Sequence, residues 1–450
     1  MSINLPEEFI ERMKSDLGSD FLAFRDTYEQ ESVYSIRLNP LKIDLSMENS
    51  KTTQTIVEKY STGEQVTWCN TGFYSLPSLA PGSSAYHHAG AIYIQEASAM
   101  SAVPQLDVSR GLKVLDMCAA PGGKSTQIAG YLMQEGLLVC NEPVGNRAKI
   151  LSENIERLGV KNAIVTNEYP NKLAKKLPGY FDRILIDAPC SGEGMFRKNP
   201  DACGEWSPGE VELCAQRDDE LLDLADEMLA DGGRIVFSTC TFARPEDEES
   251  IERFLKRHPE YECVYQHKLF PHEAKGEGHF VAALVKKSVE DLEVSEKSKN
   301  AVKLLKSGNV DTKDYFKFLD ETFVDEVAKK YKDKTRLFQV EDRIYYLPEK
   351  CFDFNGLHVL RAGLHMGNIL KGRFEPSHAL AHASKGSELK SSVSFDEGSV
   401  EIAGYLNGQT ISCDSSLKGW TLISVDEVSL GWGKAVNGTI KNHYPKGLRK

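Results

Sequence analysis

The sequence predicts an α/β protein, a parallel sheet wound on both faces by helices, with a small α/β domain before it and a β-rich module after it. Three observations predict this. From Gly111 to about Lys287, short apolar runs bounded by turn residues alternate with helix-like stretches, the pattern of strands buried on both faces. The first hundred residues combine a helical period with one extended piece, and the region from 393 to 440 alternates short apolar runs with Gly and Asn turns. The 450 residues suffice for roughly two to four domains, each able to bury a core.

At the N-terminus, Leu5, Phe9, Met13 and Leu17 recur at helix spacing, Pro6 suits a first turn and Gly18 can end the helix. A second helix over Phe21 to Tyr28 and an extended segment from Val33 to Leu38 follow, and the unit is assigned to residues 1–100. The next, 101–287, has strands at Lys113 to Asp116, Leu137 to Cys140, Ala163 to Thr166, Arg183 to Asp187 and Arg234 to Ser238. Between them Arg147 to Leu158 reads as a helix ended by Gly159, and Asp218 to Leu229 as one ended by Gly232-Gly233. Tyr261 to Tyr265 and His279 to Val285 fit an antiparallel edge hairpin. Residues 288–385 read as a Lys/Glu/Ser-rich linker, a helical segment and the extended stretches Leu337 to Leu347 and Gly356 to Gly367. Residues 386–450 form the β-rich module, with Val400 to Ile402, Thr421 to Ile423 and Leu430 to Val436 among its apolar runs.

Lys plus Arg number 54 against 66 Asp plus Glu, a net charge of −12. That balance excludes a binder of nucleic acid that uses its whole surface, while leaving room for a local basic groove. No run of ~18 apolar residues occurs and the first helix is charged, so neither a membrane span nor a signal peptide is expected, and the chain is placed in the cytoplasm. Ten dispersed cysteines without a C-x-x-C pair read as reduced thiols, not as a disulfide framework or a zinc site.

Three constellations carry chemistry. The first is Asp116 to Thr126, containing Cys118, Ala119, Ala120, Pro121, Gly122, Gly123 and Lys124, at the junction of the first parallel strand and a helix. Small residues there let backbone amides approach a ligand, and the helix N-terminus favours its anionic groups. Two ligands compete. Gly123-Lys124-Ser125 imitates the end of a P-loop, for which Asp187 could serve as the partner acid, but that pattern requires glycine where Cys118 stands. The alternative is S-adenosylmethionine, with Glu142 after the second strand placed to bind its ribose hydroxyls. The second constellation is Asp187-Ala188-Pro189-Cys190-Ser191-Gly192, ending the fourth strand, and the third is Ser238-Thr239-Cys240-Thr241, ending the fifth.

Two thiols at the carboxyl ends of neighbouring strands can reach one substrate. Carbon 5 of cytosine is too weak a nucleophile to accept a methyl group directly. A thiolate adding at carbon 6 makes it enamine-like, and after transfer a base removes the carbon 5 proton so that the enzyme can leave. One thiol attacks and another group assists release. Asp187, held protonated by burial, would hydrogen-bond the ring nitrogen.

These segments resemble the Sun/RsmF group of RNA 5-methylcytosine methyltransferases. The resemblance is carried by Asp116 to Lys124, Asp187 to Arg197, Ser238 to Cys240, Gln95 to Ser98, Ser35 to Asn39 and Lys198 to Pro200. It implies a Rossmann-like S-adenosylmethionine-dependent core, a ferredoxin-like N-terminal domain and a PUA-like C-terminal module. It further implies Cys240 as nucleophile, Cys190 as the group assisting release, Asp187 at the base, and Cys118 to Lys124, Glu142, Arg147 and Asp187 at the cofactor. The family often has Asp after the third strand, where this chain reads Thr166-Asn167-Glu168, and Asn167 is assigned to the adenine side.

RNA contacts are expected at Arg37, which could instead lie between domains, at Lys198 beside the second motif, and at Lys434. Gly431 to Lys450 holds five basic residues and no acid, whereas the acids cluster in Glu205 to Glu227 and Glu246 to Glu249. Histidines 358, 365, 378 and 382 lack the spacing of a metal site, and no metal is expected. The reading is therefore a monomeric cytosine-C5 methyltransferase acting on structured RNA, and the likeness of Asp187 to Lys198 to the bacterial RsmF branch implies small-subunit ribosomal RNA as that substrate. A transfer RNA enzyme, a P-loop-like NTPase and a non-catalytic ribosome assembly factor are the alternatives.

Overall fold

A computed structural model describes residues 3–287, 302–305 and 310–449. The beginning of the expected linker, 288–301, and Lys450 of the basic tail lie outside the described residues.

The first helix, Glu7–Leu17, buries Phe9 and Met13, and Gly18 ends it at φ +53°, a conformation glycine adopts without strain. Strands β1 (Tyr34–Leu38), β2 (Gly72–Ser75) and β3 (Ile92–Ile94) then form an antiparallel sheet in the order β2-β1-β3. This domain is fastened to the next by close backbone approach. Gly90 has φ +74°, and a Cβ there would lie 1.9 Å from the carbonyl oxygen of Arg157.

Strands β4 (Lys113–Asp116), β5 (Leu137–Asn141), β6 (Ala163–Thr166), β7 (Phe181–Asp187) and β8 (Leu229–Thr239) run parallel, adjacent in the order β6-β5-β4-β7-β8. The expected edge hairpin is present as β9 (Tyr261–Leu269) and β10 (His279–Lys286), both antiparallel, with β10 paired to β8. Apolar side chains fill both faces. One holds Leu115, Ile184, Ile186 and Phe237 against Leu222, Ala225 and Phe254; the other holds Val114, Leu138, Val165 and Leu185 against Ile128, Leu151 and Ile155. From β4 the chain winds outward through β5 and β6 on one side, then crosses back to β7 and β8 on the other, so a crevice opens at the carboxyl ends of β4 and β7.

Downstream, β11 (Leu337–Val340) and β12 (Arg343–Tyr346) form a hairpin, and β13 (Val359–Ala362) leaves it to pair antiparallel with β6, completing an eight-stranded sheet. Strands β14 (Leu364–Leu370) and β15 (Arg373–Pro376) return to the hairpin, giving a four-stranded sheet. The last sheet has the order β16-β18-β19-β20-β17, from β16 (Ser392–Phe395), β17 (Ile411–Ser412), β18 (Gly419–Val425), β19 (Val428–Val436) and β20 (Thr439–Asn442).

Two local expectations are corrected. Val400–Leu406 is a helix, not an extended run: the Ser399 side chain accepts the Ile402 N–H as an N-cap, and Ile402, Tyr405 and Leu406 bury one helical face. The helix assigned to Asp218 to Leu229 begins at Pro208 after the capping Ser207 and stops at Met228, so Gly232-Gly233 lies within the first half of β8 and does not end a helix.

Candidate active site

The loop after β4 turns at Gly122, φ +111°, into the helix Gly123–Leu132, whose N-terminus faces the crevice. Alanine and glycine keep it close to the sheet: the Ala119 N–H donates to the Asn141 carbonyl at 2.8 Å, and Arg147 donates to the Ala120 carbonyl at 3.0 Å. Asp116 at its base is buried and accepts the Ser125 hydroxyl at 2.6 Å; burial pushes its carboxyl up to about 7. Cys118 is partly buried, and desolvation, reinforced by the Asp116 and Asp187 charges, pushes its thiol well up. Glu142 stands at the end of β5 with one oxygen accepting the Val144 N–H at 2.8 Å and the other 3.4 Å from Arg147. A turn of small residues, a free helix N-terminus and an ordered carboxylate fit the amino acid and ribose ends of S-adenosylmethionine. They do not fit a P-loop, because Lys124 is buried and points to Asp187 at 2.7 Å, where it cannot extend toward a nucleotide's terminal phosphates.

That ion pair corrects one expectation. Burial raises the Asp187 carboxyl, but the Lys124 ammonium at 2.7 Å and the Ser238 hydroxyl at 3.0 Å outweigh it and hold Asp187 below the ordinary range. Asp187 is therefore ionised, not protonated, at neutral pH. His279 opens β10 one residue beyond the Phe280–Thr239 pair, which sets it beside Cys240; burial and then Lys124 push its imidazole down to about 3.

The two loop cysteines meet. Cys190 Sγ lies 3.3 Å from Cys240 Sγ, and the Cys240 N–H donates to Cys190 Sγ at 3.4 Å. The bond with Cys240 comes first, and burial adds to it, in pushing the Cys190 thiol well above its ordinary value.

Other expected residues are placed differently. Arg37 is 3% exposed and donates to Gln95, to the Gly123 carbonyl at 2.6 Å and to Thr126 at 2.7 Å. It binds the N-terminal domain to the cofactor-loop helix, so its role as an RNA contact is withdrawn in favour of the interdomain one. Asn167 donates both amide hydrogens to the Glu142 and Pro143 carbonyls (2.8 and 2.9 Å) and meets His358 Nδ1 at 3.2 Å. It braces the turn after β5 and offers no free donor to an adenine. Lys198 is half-buried, 5.8 Å from the Tyr34 ring centroid, and lowers the pKa of the half-buried Glu96 against the effect of desolvation. Lys434 is exposed on β19, its ammonium 5.5 Å from the Trp420 ring.

Sequence reasoning missed two groups. Glu246 and Asp247 belong to a run read as solvated acid, yet both are fully buried beneath the cysteine loops. His358 was dismissed as one of four scattered histidines, but β13 carries it to the crevice rim, where its N–H donates to Glu168 at 2.6 Å. The only signal for the first was Pro245 beside Glu246, a turn residue in an otherwise helical acidic stretch; for the second there was none.

Comparison with known proteins bears on the whole chain. Family models match in sequence order: the N-terminal domain of 16S rRNA methyltransferase RsmF at residues 5–97, 16S rRNA methyltransferase RsmB/F at 103–285, the RsmF rRNA methyltransferase first C-terminal domain at 322–383 and the methyltransferase RsmF PUA domain at 393–450. A ribosomal RNA small subunit methyltransferase F from Cronobacter sakazakii is 31% identical, the alignment covering 99% of this chain and 97% of that protein. The protein of the same name from Vibrio vulnificus is 31% identical over 99% of this chain and 98% of its own length. This chain belongs to the RsmF family.

As an RsmF-family member it is an S-adenosylmethionine-dependent RNA methyltransferase of the small-subunit ribosomal RNA group, and its last sheet is the family's PUA domain. Among solved structures, a methyltransferase homolog from Pyrococcus horikoshii has a TM-score of 0.55 at 26% identity, covering 63% of this chain and 96% of that one. NSun6 from the same organism, solved with SFG, superposes with a TM-score of 0.56 at 20% identity over 64% of this chain and 99% of that one, which establishes the shared fold. Among the described residues no helix is long and apolar enough to cross a membrane.

Proposed function

We propose that this RsmF-family enzyme methylates carbon 5 of a cytosine in small-subunit ribosomal RNA through a covalent adduct of Cys240 at carbon 6, with Cys190 assisting release. The observation that carries the reading is the pair of sulfurs 3.3 Å apart at the ends of β7 and β8, beside the Lys124–Asp187 pair. S-adenosylmethionine, when bound, supplies an electrophilic methyl group. The loop from Cys118 to Lys124 would hold its amino acid moiety, and Glu142, aligned by Arg147, would take its ribose hydroxyls.

Ionised Asp187 accepts the exocyclic amine of cytosine and repels the carbonyl that uracil carries in its place. As the Cys240 thiolate adds to carbon 6, electron density gathers on the ring, and the Lys124 ammonium stabilises it in a site shielded from water. After transfer the carbon–sulfur bond breaks as Cys190 gives its proton to the departing Cys240 sulfur, and the Cys190 thiolate so formed takes the carbon 5 proton, which restores the Cys190 thiol. Cys190, kept in the thiol form by its bond to Cys240 and by burial, is in place to protonate the departing sulfur.

For RNA, the reading uses Lys434 and a cavity of about 390 Å³ between the last two sheets, lined by Trp420, His443, Lys434, Arg373, Lys317 and Phe318. His443 stands against Trp420 with ring centroids 4.6 Å apart, and the charges acting on it are Lys434, Arg373 and Lys441 against Glu375. The indole of Trp420 can stack an unpaired base, and Lys317, Arg373 and Lys434, set among the acids Asp314, Glu321 and Glu375, offer cations to phosphate. Lys198, beside Tyr34 of the N-terminal domain, would add a separate RNA contact.

The test is paired substitution. With Cys190→Ala, a complex of enzyme and RNA resistant to denaturing gel electrophoresis accumulates; with Cys240→Ala, adduct and methylation both disappear. Methyl transfer by the Cys240→Ala protein would refute the assignment.

A further inference from the structure

Cys190 and Cys240 belong to separate loops, and two loops that move independently do not keep two sulfurs at one spacing. The loops are cross-tied by two buried carboxyl groups that the reaction does not otherwise use. Glu246 accepts both the N–H (2.8 Å) and the hydroxyl (2.5 Å) of Ser191, the residue after Cys190. The same hydroxyl lies 2.8 Å from that of Thr241, the residue after Cys240. Glu193, three residues past Cys190, accepts the N–H of Phe242 at 3.0 Å, and the Gly194 N–H donates to the Cys240 carbonyl at 2.8 Å. A Cβ at Gly194 would sit 2.9 Å from that carbonyl oxygen, so the loops are in backbone contact.

The second carboxylate reaches outward. Glu193 is fully buried and also accepts Arg12 at 2.6 Å and Trp206 at 2.8 Å. Arg12 comes from the first helix, so the N-terminal domain closes the tie from outside. Both acids sit behind the thiols, with backbone and hydroxyl partners that leave them no free face toward the crevice.

We infer that Glu246 and Glu193 form a positioning clamp that sets the spacing of Cys190 and Cys240, with Arg12 coupling the seating of the N-terminal domain to it. The inference rests on the proposed roles of the two thiols. It explains why Glu246, in a stretch as acidic as Pro245 to Glu249, turns inward: hydroxyl and N–H donors on loops need an acceptor with more than one open lone pair, and a carboxylate satisfies several at once. Without the clamp, Cys190 drifts from the sulfur it must protonate, and release slows more than attack.

The experiment uses full-length enzyme, S-adenosylmethionine and a cytosine-bearing fragment of small-subunit ribosomal RNA. Glu246→Gln lowers kcat on the order of a hundredfold, as a displacement near 1 Å would, while KM for the RNA and the methyl donor stays within about twofold. It also accumulates the covalent adduct, a partial copy of Cys190→Ala, at a melting temperature close to the parent's. Ser191→Ala removes the hydroxyl bridge without leaving a charge unpaired, and it shows the same adduct at smaller size even where Glu246→Gln does not fold. Arg12→Met gives the same pattern through Glu193. Normal turnover without adduct in Glu246→Gln and Ser191→Ala overturns the clamp, as does a loss confined to KM. Methylation by Cys240→Ala would overturn the underlying thiol assignment, a result these clamp variants do not produce.

Discussion

At the scale of single residues, the site turns on the charge state of Asp187. Its position at the end of a strand was readable from the alternation of apolar runs, and its partnership with a thiol from the Pro-Cys that follows. Its ionisation was not, because that depends on Lys124, brought by a helix sixty residues earlier, and on Ser238 from the neighbouring strand. Burial alone would have protonated it. Lys124→Met therefore restores the condition first expected: the carboxyl rises, the cation that stabilises the ring is lost, and methyl transfer falls by about two orders of magnitude. Because the Asp187 side chain is 33% exposed, the stability loss should be roughly 1–3 kcal/mol, below that of a fully buried pair. Urea unfolding and single-turnover rates measured on one preparation check both numbers.

At the scale of elements, β13 was legible as an extended stretch but not as part of the catalytic sheet. A strand's sequence fixes which faces it buries, while its partner is fixed by which edge is open, and β6 presents the open edge. The consequence is that the C-terminal half helps build the cofactor crevice. Arg361 in β13 is 7% exposed and pairs with Glu156 on the helix Gly145–Arg157 at 2.5 Å. The neighbouring His358 touches Asn167, which braces the turn that bears Glu142. Arg361→Ala should loosen this edge, raising KM for S-adenosylmethionine several-fold with little change in kcat once the donor saturates; an unchanged KM would mean that β13 is only a cover. The helix at Val400 illustrates the converse limit, since a short apolar triplet reads equally as strand or helix until a cap such as Ser399 is seen to act.

For the whole molecule, the net charge of −12 concealed how its acids are used. Among the described residues four carboxyl groups are buried and pushed up, each by burial first: Asp116 and Glu246 to about 7, Asp247 to about 8 and Asp218 to about 9. Asp218 is fully buried and neither of its oxygens accepts a hydrogen bond. In the unfolded chain these groups titrate near ~4, so between that pH and their native values the folded state holds more protons than the unfolded one. The stabilisation is complete below the unfolded value and is lost as pH rises through the native values, so the fold should weaken steadily from about pH 5 to pH 9. Asp218→Asn removes one titrating group and should flatten that decline by up to ~1.4 kcal/mol per pH unit. Melting temperatures of both proteins across this range decide it, and parallel curves would count against the assignment.

The sequence by itself determined the parallel sheet, the order of its strands along the chain, and the places of the Asp116 to Thr126 loop and the two cysteine motifs at strand ends, because alternation, turn residues and strand ends are local properties. Only the tertiary structure decided that Asp187 is ionised, that Arg37 is buried between domains, that Glu246 is buried under the thiols, and that β13 belongs to the catalytic sheet. Each of those depends on which distant groups share a low-dielectric space, and the strength of a charge or hydrogen bond is set there by its neighbours and its access to water, not by its place in the chain.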